Sequence, residues 1–588
     1  MRGAAADKIT GGLGALSPEP DMPENIYPEK QAFGLSSPPE ETPADQAIAI
    51  LLFVLTLAYL FLFRRYTTME PDEGIILQGA QRILRGQVLY RDFFSFFTPG
   101  SYYFLALLFK IFGSSILVAR TALAFFGGVY SVVAYLLARR VCSRGSAFFV
   151  AGLVTLTTLP YRFLVLHNWD STLWACLALY CAVRLLESPR SKWAFGAGSF
   201  AALTFLFEQS KGAGLIFGLC VGLTAVALMN RKKINREKMG REKMNREKPL
   251  GNGAQLTGLA LGLAWPFVVT LAYFGAQHGL SSMLADWFWP LGHYSVANRV
   301  PYGYQNWSDS TRHLLFSTGS PGMRVLKAVA ISPCFLIPVL PLVAVGLLVY
   351  WIVQMWRQRA PQAKCAYYVL LSAALSGLVL SVAIARADII HFMYLQPLFC
   401  LVLAWIVDGR DIPGRVFKAM SPFLNAYVAI AFLAFSMPLL MRAVRAPYKV
   451  ETRRGVITMP ANDTVIEYVQ AHVAPGETIL VYPYLPLYYY LTETFGPTRY
   501  EYFQPGMNTH EQSQEMVAQL ASGRVRQVLF ESSFAEKIPN SWPGTPLTAI
   551  ANDPVADYIV RNYRTCGILK SPEDWRFLFM IRKDQACP

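Results

Sequence analysis

Residues 46–74 read QAIAILLFVLTLAYLFLFRRYTTMEPDEG, and this stretch decides the fold class. Its first 18 positions carry no charge, which is close to the length that a helix needs to cross a bilayer. Two arginines end the apolar run, and three acids follow: Glu70, Asp72 and Glu73. Acids beside a bilayer are costly unless they face water or a partner. The stretch therefore predicts a membrane-spanning chain with carboxylates at the membrane surface.

Two interpretations of this acidic segment are open. A carboxylate fixed at the membrane–water boundary is well placed for acid–base chemistry on a lipid headgroup, which makes Asp72 a candidate catalytic base. Glu73 is the candidate that would take its place. The same Pro-Asp-Glu run also suits the first turn of a helix, because proline is favoured there and acids stabilise the helix dipole.

The composition of the whole chain agrees with a multi-pass membrane protein. It has 588 residues, of which 54% are hydrophobic and 15% are charged, whereas soluble proteins carry about 25% charged residues. The net charge of +15 lies largely in short loops between apolar runs. Membrane topology explains such a charge better than binding to nucleic acid does, so no nucleic-acid partner is expected.

Eleven apolar runs predict eleven transmembrane helices. They cover residues 46–63, 114–138, 146–161, 169–187, 193–208, 212–229, 254–275, 327–353, 366–385, 390–407 and 420–441. Alternate loops contain 20 of the lysines and arginines, and the positive-inside rule makes those loops cytoplasmic. The N-terminus is then cytoplasmic and the C-terminus extracytoplasmic, in a multi-pass protein of the plasma (inner) membrane.

The predicted organisation has three parts. Residues 1–44 contain seven prolines and no hydrophobic periodicity, which is typical of a disordered cytoplasmic tail. Residues 45–441 form the transmembrane catalytic domain, with outer loops at 64–113 and 276–326. Residues 442–588 have strand-length apolar runs between helical patterns, which predict a small extracytoplasmic α/β domain.

Two further expectations concern local structure. Residues 75–90 have apolar side chains at helical spacing, which predicts an amphipathic helix lying in the membrane interface. Cys566 and Cys587 could form a disulfide if their part of the chain is extracytoplasmic, or remain as free thiols. Neither Cys-x-x-Cys nor Cys/His ligand spacing occurs in the sequence, so we expect no structural metal site of that type.

Charged residues gather at the predicted extracytoplasmic ends of the spans. They are Asp72, Glu73, His167, Asp170, Glu208, Lys211, Arg386, Asp388 and His391. Ionisable groups at membrane depth usually face a cavity and pair with one another. Local salt bridges such as Asp170–Lys211 or Arg386–Asp388 are the structural alternative for each pair, but so many charges at one face favour a polar cavity.

Such a cavity suits transfer of a sugar from a lipid phosphate. Lys211 and Arg386 could bind the phosphate, and a carboxylate across the site could take a proton from an acceptor hydroxyl. The sequence contains neither a Walker loop nor a dinucleotide-type glycine fingerprint, so a site for a soluble nucleotide sugar is not indicated.

Residues 71–120 resemble the first outer loop of GT-C fold glycosyltransferases. The resemblance is to bacterial relatives of the protein O-mannosyltransferases and of the lipid A aminoarabinose transferase. It is carried by the acidic pair, by Gly86 followed by Tyr90-Arg91-Asp92, by a proline before aromatic residues, and by Arg120. Further along, Glu208-Gln-Ser-Lys211 and the stretch from Arg386 through His391 to Pro397 resemble later turns of the family.

The resemblance implies an inverting transfer, metal-independent or metal-assisted, from a polyprenyl-phosphate sugar to a glycan, lipid or protein acceptor. No cofactor is expected. It implies roles for eight residues: Asp72 with Glu73 as base; Tyr90, Asp92 and Asp170 near the acceptor or behind the reacting groups; and Lys211, Arg386 and His391 on the donor phosphate. The chain departs from close relatives at Phe97-Thr98-Pro99-Gly100, where many have Lys-Pro-Pro. That departure removes a cation and leaves the sugar and the acceptor open.

Other functions are compatible with the same spans. A transporter or flippase for a lipid-linked glycan predicts charges spread across the membrane and paired broken helices. A polymerase of lipid-linked glycans, or a non-catalytic scaffold with a sugar-binding outer domain, would share the apolar runs. The concentration of charge at one face favours the transferase.

Overall fold

The structure is a computed structural model, and it describes residues 41–239, 251–293, 299–357, 362–409 and 415–588. The predicted disordered tail lies outside the described residues except for its last four positions. The N-terminal part of the membrane region consists of α1 Pro43–Phe61, α2 Pro71–Leu84, α3 Gly100–Phe112, α4 Ile116–Val141, α5 Arg144–Tyr161, α6 His167–Glu187, α7 Ser191–Phe207, α8 Gln209–Met239 and α9 Gly253–Ala276.

The second part of the membrane region contains shorter helices as well as long ones. They are α10 Leu280–Gly292, α11 Asp309–Phe316, α12 Pro321–Ile331, α13 Pro333–Trp356, α14 Gln362–Ala385, α15 Ile389–Tyr394, α16 Gln396–Asp408 and α17 Arg415–Val444. Pro333 begins α13 and Pro397 lies in the first turn of α16. The span predicted at 390–407 is divided at Leu395 into α15 and α16, and proline suits the start of α16. The helices α12 and α13 meet at Ser332, which keeps a helical backbone, so the span predicted at 327–353 lies within one continuous helical stretch.

Seven of the described helical stretches are long and apolar enough to cross a membrane. They are Pro43–Phe61, Ile116–Val141, Gln209–Met229, Gly253–Ala276, Pro321–Gln354, Cys365–Ala385 and Ala419–Val444. The predicted spans 146–161, 169–187 and 193–208 are helical as α5, α6 and α7, although these helices are shorter or more polar. The fold class is confirmed as a helical membrane protein with a small C-terminal sheet, whereas the number eleven stays a prediction.

Glycines allow two pairs of long helices to approach closely. Gly214 of α8 faces Gly377 of α14, and a Cβ at either position would collide with the carbonyl oxygen of the other. Gly198 of α7 and Gly262 of α9 likewise meet the backbone of the facing helix. Small residues at such crossings let helix backbones pack in an apolar solvent. The α8–α14 crossing positions α8, which carries part of the candidate site.

Beyond α17, the C-terminal region (residues 448–588) begins with a hairpin and continues with a second sheet. The elements are β1 Tyr448–Thr452, β2 Gly455–Met459, α18 Thr464–His472, β3 Leu480–Tyr482, α19 Leu487–Leu491, α20 His510–Ala521, β4 Gln527–Glu531, α21 Phe534–Ser541, α22 Leu547–Ala551, α23 Pro554–Asn562, β5 Tyr563–Lys570 and β6 Arg576–Arg582. The second sheet has the order β3-β4-β6-β5, in which only β3 and β4 are parallel.

The strands β3, β4 and β6 coincide with strand-length apolar runs that the sequence predicts, whereas β5 has no such run. The strand β5 has mostly exposed or half-buried side chains, so it lacks the apolar run that identifies β3, β4 and β6. A disulfide joins Cys566 of β5 to Cys587, which confirms the pairing that was one of the two expectations for these thiols.

The prediction that this helix lies in the membrane interface is wrong. The helix α2 exists, but its residues 73–82 are all buried, including the polar ones. Gln78 donates to the Thr494 carbonyl oxygen at 3.2 Å, and Arg82 donates to the Thr498 carbonyl oxygen at 3.1 Å. Its polar face therefore pairs with carbonyl groups of the C-terminal region, whereas the sequence pattern indicated water and lipid headgroups.

Candidate active site

The acidic segment after the first apolar helix forms the start of α2. Glu70 is the N-cap residue, Pro71 follows it, and Asp72 and Glu73 lie in the first turn. Acids in a first turn stabilise the partial positive charge at a helix N-terminus. The helix-start interpretation is thus confirmed, and it leaves the side chain of Asp72 available for a second role.

Arg162, which directly follows α5, holds two of these acids. Its Nη2 donates to Glu70 Oε2 at 2.7 Å and to Asp72 Oδ2 at 3.1 Å. The two carboxylates are each 37% exposed, while the arginine side chain is 13% exposed. One guanidinium thus orients a pair of accessible acids. Arg162 is a site residue that the sequence pattern does not predict, although it is the one arginine in the loop at residues 162–168.

Glu73 lies in a different environment from Asp72. Its carboxylate is fully buried and takes two bonds from Arg120, at 3.0 Å from Nε and 2.6 Å from Nη2. The backbone N–H of Val165 donates to the same carboxylate at 3.0 Å. Arg120 also donates to the Tyr66 carbonyl oxygen. This burial argues against the predicted role of Glu73 as a second base, because its oxygens are paired and sealed from solvent.

His167, the first residue of α6, lies among the charged groups of the site. Its buried ring packs on that of Phe97, with centroids 4.0 Å apart. Burial lowers the pKa of His167 to about 4, and the charges of Glu208, Asp72, Lys211 and His391 affect that pKa to a lesser extent. Within the described residues its Nδ1 has no hydrogen-bond partner. His167 therefore lies within electrostatic range of the predicted residues Asp72, Lys211 and His391, and its Nδ1 is not engaged by any described residue.

Lys211 is buried, and protein oxygens surround its ammonium group. Nζ donates to the Asn168 carbonyl oxygen at 2.7 Å, to Ser171 Oγ at 2.8 Å and to Thr172 Oγ1 at 3.1 Å. It also forms an ion pair of 2.8 Å with Glu208. An ammonium has three N–H donors, so these partners account for all of them. Lys211 thus stabilises the α6–α8 contact, and a phosphate could bind it directly only by displacing a partner.

Asp170 does not form the alternative ion pair with Lys211. It is buried beneath α3, where Ser101 Oγ donates to its Oδ2 at 2.5 Å. The contact joins α6 to α3.

Arg386, Asp388 and His391 form a chain of contacts. Arg386 Nε donates to Asp388 Oδ2, and His391 Nδ1 lies 2.6 Å from Asp388 Oδ1. The alternative interpretation of Arg386–Asp388 as a local salt bridge is confirmed. Arg386 also donates to the Ser541 carbonyl oxygen and lies over the ring of Trp542, 4.5 Å from its centroid. Arg386 therefore connects the membrane region to the C-terminal region.

Tyr90 and Asp92 shape the first loop. Tyr90 has a positive φ of 69°, donates from Oη to the Phe97 carbonyl oxygen at 2.7 Å and accepts from Trp287 Nε1 at 2.8 Å. Asp92 Oδ2 accepts from the Val88 N–H at 2.7 Å, and the Arg91 guanidinium holds the pKa of Asp92 below its usual range. These contacts fold the Gly86–Asp92 motif into a turn braced against α10.

One acid of the C-terminal region also reaches the site segment. Glu573 Oε1 accepts a hydrogen bond of 3.0 Å from the Met69 N–H, and burial raises the pKa of Glu573 to about 7. Glu70 and Asp463 are the charged groups that raise the pKa of Glu573 further.

In the described ranges, three or more His, Cys, Asp or Glu side chains nowhere gather as metal ligands do. The expectation of no metal stays a prediction.

Comparison with known proteins gives one family match and several similar structures. A family model described as dolichyl-phosphate-mannose-protein mannosyltransferase matches residues 98–240. Comparison with curated protein sequences gives no match. The resemblance to the protein O-mannosyltransferase group is thereby confirmed for the matched residues.

Three solved structures illustrate the structural similarity. ArnT from Cupriavidus metallidurans bound to undecaprenyl phosphate has 11% identity and a TM-score of 0.48, covering 91% of this chain and 97% of that chain. The apo state of ArnT has 11% identity and a TM-score of 0.47, covering 93% and 100%. The oligosaccharyltransferase from Archaeoglobus fulgidus, in complex with Zn and sulfate, has 11% identity and a TM-score of 0.41, covering 90% and 72%.

Proposed function

We propose that this chain is a membrane glycosyltransferase of the GT-C type that moves a sugar from a polyprenyl phosphate to a hydroxyl group. The observation that carries the proposal is the geometry around Asp72. Its carboxylate is 37% exposed and held by Arg162, whose Nε has no hydrogen-bond partner among the described residues. An accessible base beside unsatisfied donors suits displacement of a phosphate leaving group.

Asp72 acts as the general base in this proposal. It takes the proton of the acceptor hydroxyl while that oxygen forms a bond to the anomeric carbon of the donor sugar. The bond between the anomeric carbon and the phosphate oxygen breaks, and the polyprenyl phosphate leaves with the electron pair. Attack from the side opposite the phosphate inverts the anomeric configuration. Arg162 orients the carboxylate for this step and does not itself take the proton.

The leaving phosphate needs donors that the protein has not already engaged. Arg162 Nε and His167 Nδ1 are buried atoms with no hydrogen-bond partner in the described parts of the chain. The ring of His391 is about one-fifth exposed, and Asp388 fixes its orientation. A charge-assisted bond from arginine to a phosphate is strong, and a neutral imidazole can donate one further hydrogen bond from a ring nitrogen. We assign these three residues to the phosphate, and we reassign Lys211 and Arg386 to structural contacts.

Two further observations support the proposed donor class and the proposed side of the membrane. The family model that matches residues 98–240 is named for a dolichyl-phosphate-mannose donor, which is a sugar on a polyprenyl phosphate. The Cys566–Cys587 disulfide supports an extracytoplasmic C-terminal region, because such bonds persist in oxidising compartments. We therefore propose that transfer occurs at the extracytoplasmic face of the plasma membrane.

A transfer assay with defined donors tests this function. Membranes containing the full chain are given polyprenyl-phosphate hexoses and pentoses labelled in the sugar, and both lipid and product fractions are analysed. The proposal expects loss of label from the lipid and a product of inverted anomeric configuration. Label moved intact across the bilayer on its lipid, without transfer, would instead identify a flippase.

A further inference from the structure

Basic side chains gather where two long apolar helices end at the same surface. Both α1 and α17 contain candidate membrane spans. Arg65 follows the end of α1, Arg442 lies in the last turn of α17, and Arg445 and Lys449 follow that helix. All four side chains are exposed. Lysines and arginines near the ends of membrane spans reach the headgroup layer, so these four residues, called the basic patch, face the phosphate groups of the bilayer.

Backbone pairing brings part of the basic patch together. Tyr66, next to Arg65, forms a parallel bridge with Thr458 of β2, and Thr458 is the partner of Lys449 in the β1–β2 hairpin. Side chains of paired residues lie on the same face of a sheet, and neighbouring strands are about 4.8 Å apart. Lys449, Thr458 and Tyr66 therefore form one row. The Arg442 guanidinium lies over the Tyr66 ring, 5.6 Å from its centroid, so Arg442 and Lys449 stand at the two ends of that row.

Protein acids neutralise little of this charge. Among the described residues, Lys449 is the one member of the basic patch that forms an ion pair, with Glu451 at 3.8 Å. Both side chains of that pair are largely exposed, and exposed ion pairs contribute little to stability. Four bases against one acid leave three positive charges in excess. The basic patch therefore favours an anionic ligand.

Apolar stripes run from the basic patch along the lipid-facing helices. On α17, Ile430, Met437 and Val444 are each more than half exposed, and their spacing of seven residues places them on one face of the helix. On α1, Leu55 and Leu62 show the same spacing and exposure. A ligand that covers the basic patch and both stripes therefore needs an anionic head with apolar chains below it.

The two stripes belong to helices that pack on the same neighbour, α5. Tyr59 of α1 donates to the Leu156 carbonyl oxygen of α5 at 3.5 Å. The Tyr161 ring of α5 stacks on the Phe435 ring of α17, with centroids 5.8 Å apart. A glycerophospholipid has one acyl chain for each stripe, whereas a polyprenyl phosphate has a single chain and free phosphate has none. The geometry thus favours a phospholipid of the surrounding bilayer.

We propose that the basic patch binds an anionic glycerophospholipid of the surrounding bilayer, with Arg442 and Lys449 on the lipid phosphate and the acyl chains along the stripes of α1 and α17. An arginine fork and a lysine ammonium are the side chains that best bind phosphate oxygens. The Thr458 hydroxyl lies between the two bases in the row and donates a further hydrogen bond. The bound lipid would hold the β1–β2 hairpin, and with it the start of the C-terminal region, on the membrane surface.

Lipid binding to the purified full chain tests the site without requiring transfer. Native mass spectrometry of the protein in detergent micelles, titrated separately with phosphatidylglycerol, phosphatidylcholine of the same acyl chains and undecaprenyl phosphate, gives a Kd for each lipid. Because each base at the membrane surface adds to the attraction for an anionic headgroup, we expect phosphatidylglycerol to bind at least about tenfold more tightly than phosphatidylcholine. Undecaprenyl phosphate should bind equally to the wild type and to variants of the basic patch.

A double variant of the basic patch gives the decisive comparison. Arg442→Gln with Lys449→Gln removes both ends of the row and should raise the Kd of phosphatidylglycerol by about tenfold, with no change for phosphatidylcholine. Arg561→Gln with Lys583→Gln is the matched control. It also removes two neighbouring exposed bases, since Lys583 Nζ donates to the Arg561 carbonyl oxygen, but outside the basic patch. Lys449→Gln alone changes an exposed hairpin side chain and replaces the double variant if that protein fails to fold.

Three results would overturn the proposal. They are equal Kd values for phosphatidylglycerol and phosphatidylcholine in the wild type, an unchanged Kd for phosphatidylglycerol in the folded patch variants, and an equal loss in the matched control. Undecaprenyl phosphate that binds more tightly than phosphatidylglycerol, and loses its binding in the patch variants, would also overturn it by assigning the basic patch to the sugar donor. The proposed transfer reaction is tested separately, because none of these measurements depends on turnover.

Discussion

Arg162 and Asp72 are joined by a hydrogen bond of 3.1 Å between Nη2 and Oδ2, which links the end of α5 to the first turn of α2. The same guanidinium nitrogen binds Glu70 at 2.7 Å. The pair fixes the direction of the Asp72 carboxylate while leaving it accessible. The proposed reaction depends on this relationship, because a general base must be held within hydrogen-bond reach of the proton that it removes.

Removing the guanidinium should impair transfer strongly. In Arg162→Ala, Asp72 loses its orientation and the phosphate loses a donor, and we expect turnover to fall by at least about 100-fold. Arg162→Lys keeps the charge but cannot bind both acids and the phosphate through a fork, so a loss of about tenfold is expected. Transfer of label from a polyprenyl-phosphate sugar measures both. Equal activity of Arg162→Ala and the wild type would remove Arg162 from the site.

Breaking the Arg120–Glu73 pair should destabilise the protein. The pair is fully buried, and Glu73→Gln leaves the arginine without its charged partner, which typically costs about 3–5 kcal/mol. The expected result is a lower midpoint of thermal unfolding in detergent. The double variant Arg120→Met with Glu73→Leu should recover part of that loss. A Glu73→Gln protein with an unchanged midpoint and abolished transfer would instead make Glu73 catalytic.

Arg386→Ala should loosen the C-terminal region without changing donor affinity. The arginine binds the Ser541 carbonyl oxygen and covers the Trp542 ring. We therefore expect faster hydrogen exchange in α21 and an unchanged KM for the lipid-linked donor. His391→Ala is the comparison, because its assigned phosphate role predicts a higher donor KM. A raised donor KM in Arg386→Ala, with unchanged exchange in α21, would restore the phosphate role first predicted for Arg386.

The stability of the protein should depend on the protonation of Glu573. Burial raises its pKa from 4.5 to about 7, so the folded state binds a proton between these values that the unfolded state releases. The stabilisation is complete below pH 4.5 and is lost as the pH rises to 7. Glu573→Gln keeps an oxygen for the Met69 N–H and stays neutral.

We therefore compare the free energy of unfolding of the variant with that of the wild type at each pH. The difference, variant minus wild type, should be larger at pH 8 than at pH 5 by roughly 1–3 kcal/mol. Thermal unfolding midpoints of the full chain at the two pH values measure this difference. Other buried acids of the C-terminal region contribute to both proteins alike, so the comparison isolates Glu573. An identical pH dependence in variant and wild type would show that Glu573 is already charged in the folded protein.

The sequence predicts the features that depend on local pattern. Apolar runs identify the helices, and the acidic run at residues 70–73 marks a helix start as well as a candidate site. The Cys566–Cys587 bond was one of two expectations, since only the side of the membrane decided between them. These features follow from composition and spacing over a few residues.

The partners of the charged residues could not be predicted from spacing. Arg120 lies 47 positions from Glu73, and only the folded structure shows that Arg120 binds this acid whereas Arg162 binds Asp72. Arg162 lies 90 positions from Asp72 in a loop that shows no motif. The burial of α2 was missed because its Gln78 and Arg82 bind carbonyl oxygens more than 400 positions away.

The most direct test compares Asp72→Asn with Glu70→Gln. The two acids share Arg162 and have equal exposure, so loss of the shared ion pair affects both variants alike. Transfer of labelled sugar from the polyprenyl phosphate is measured in membranes with equal amounts of folded protein. We predict that Asp72→Asn lowers turnover by at least about 100-fold and that Glu70→Gln stays within about threefold of the wild type. Wild-type turnover in Asp72→Asn, or an equal loss in both variants, would contradict the assignment of Asp72 as the base.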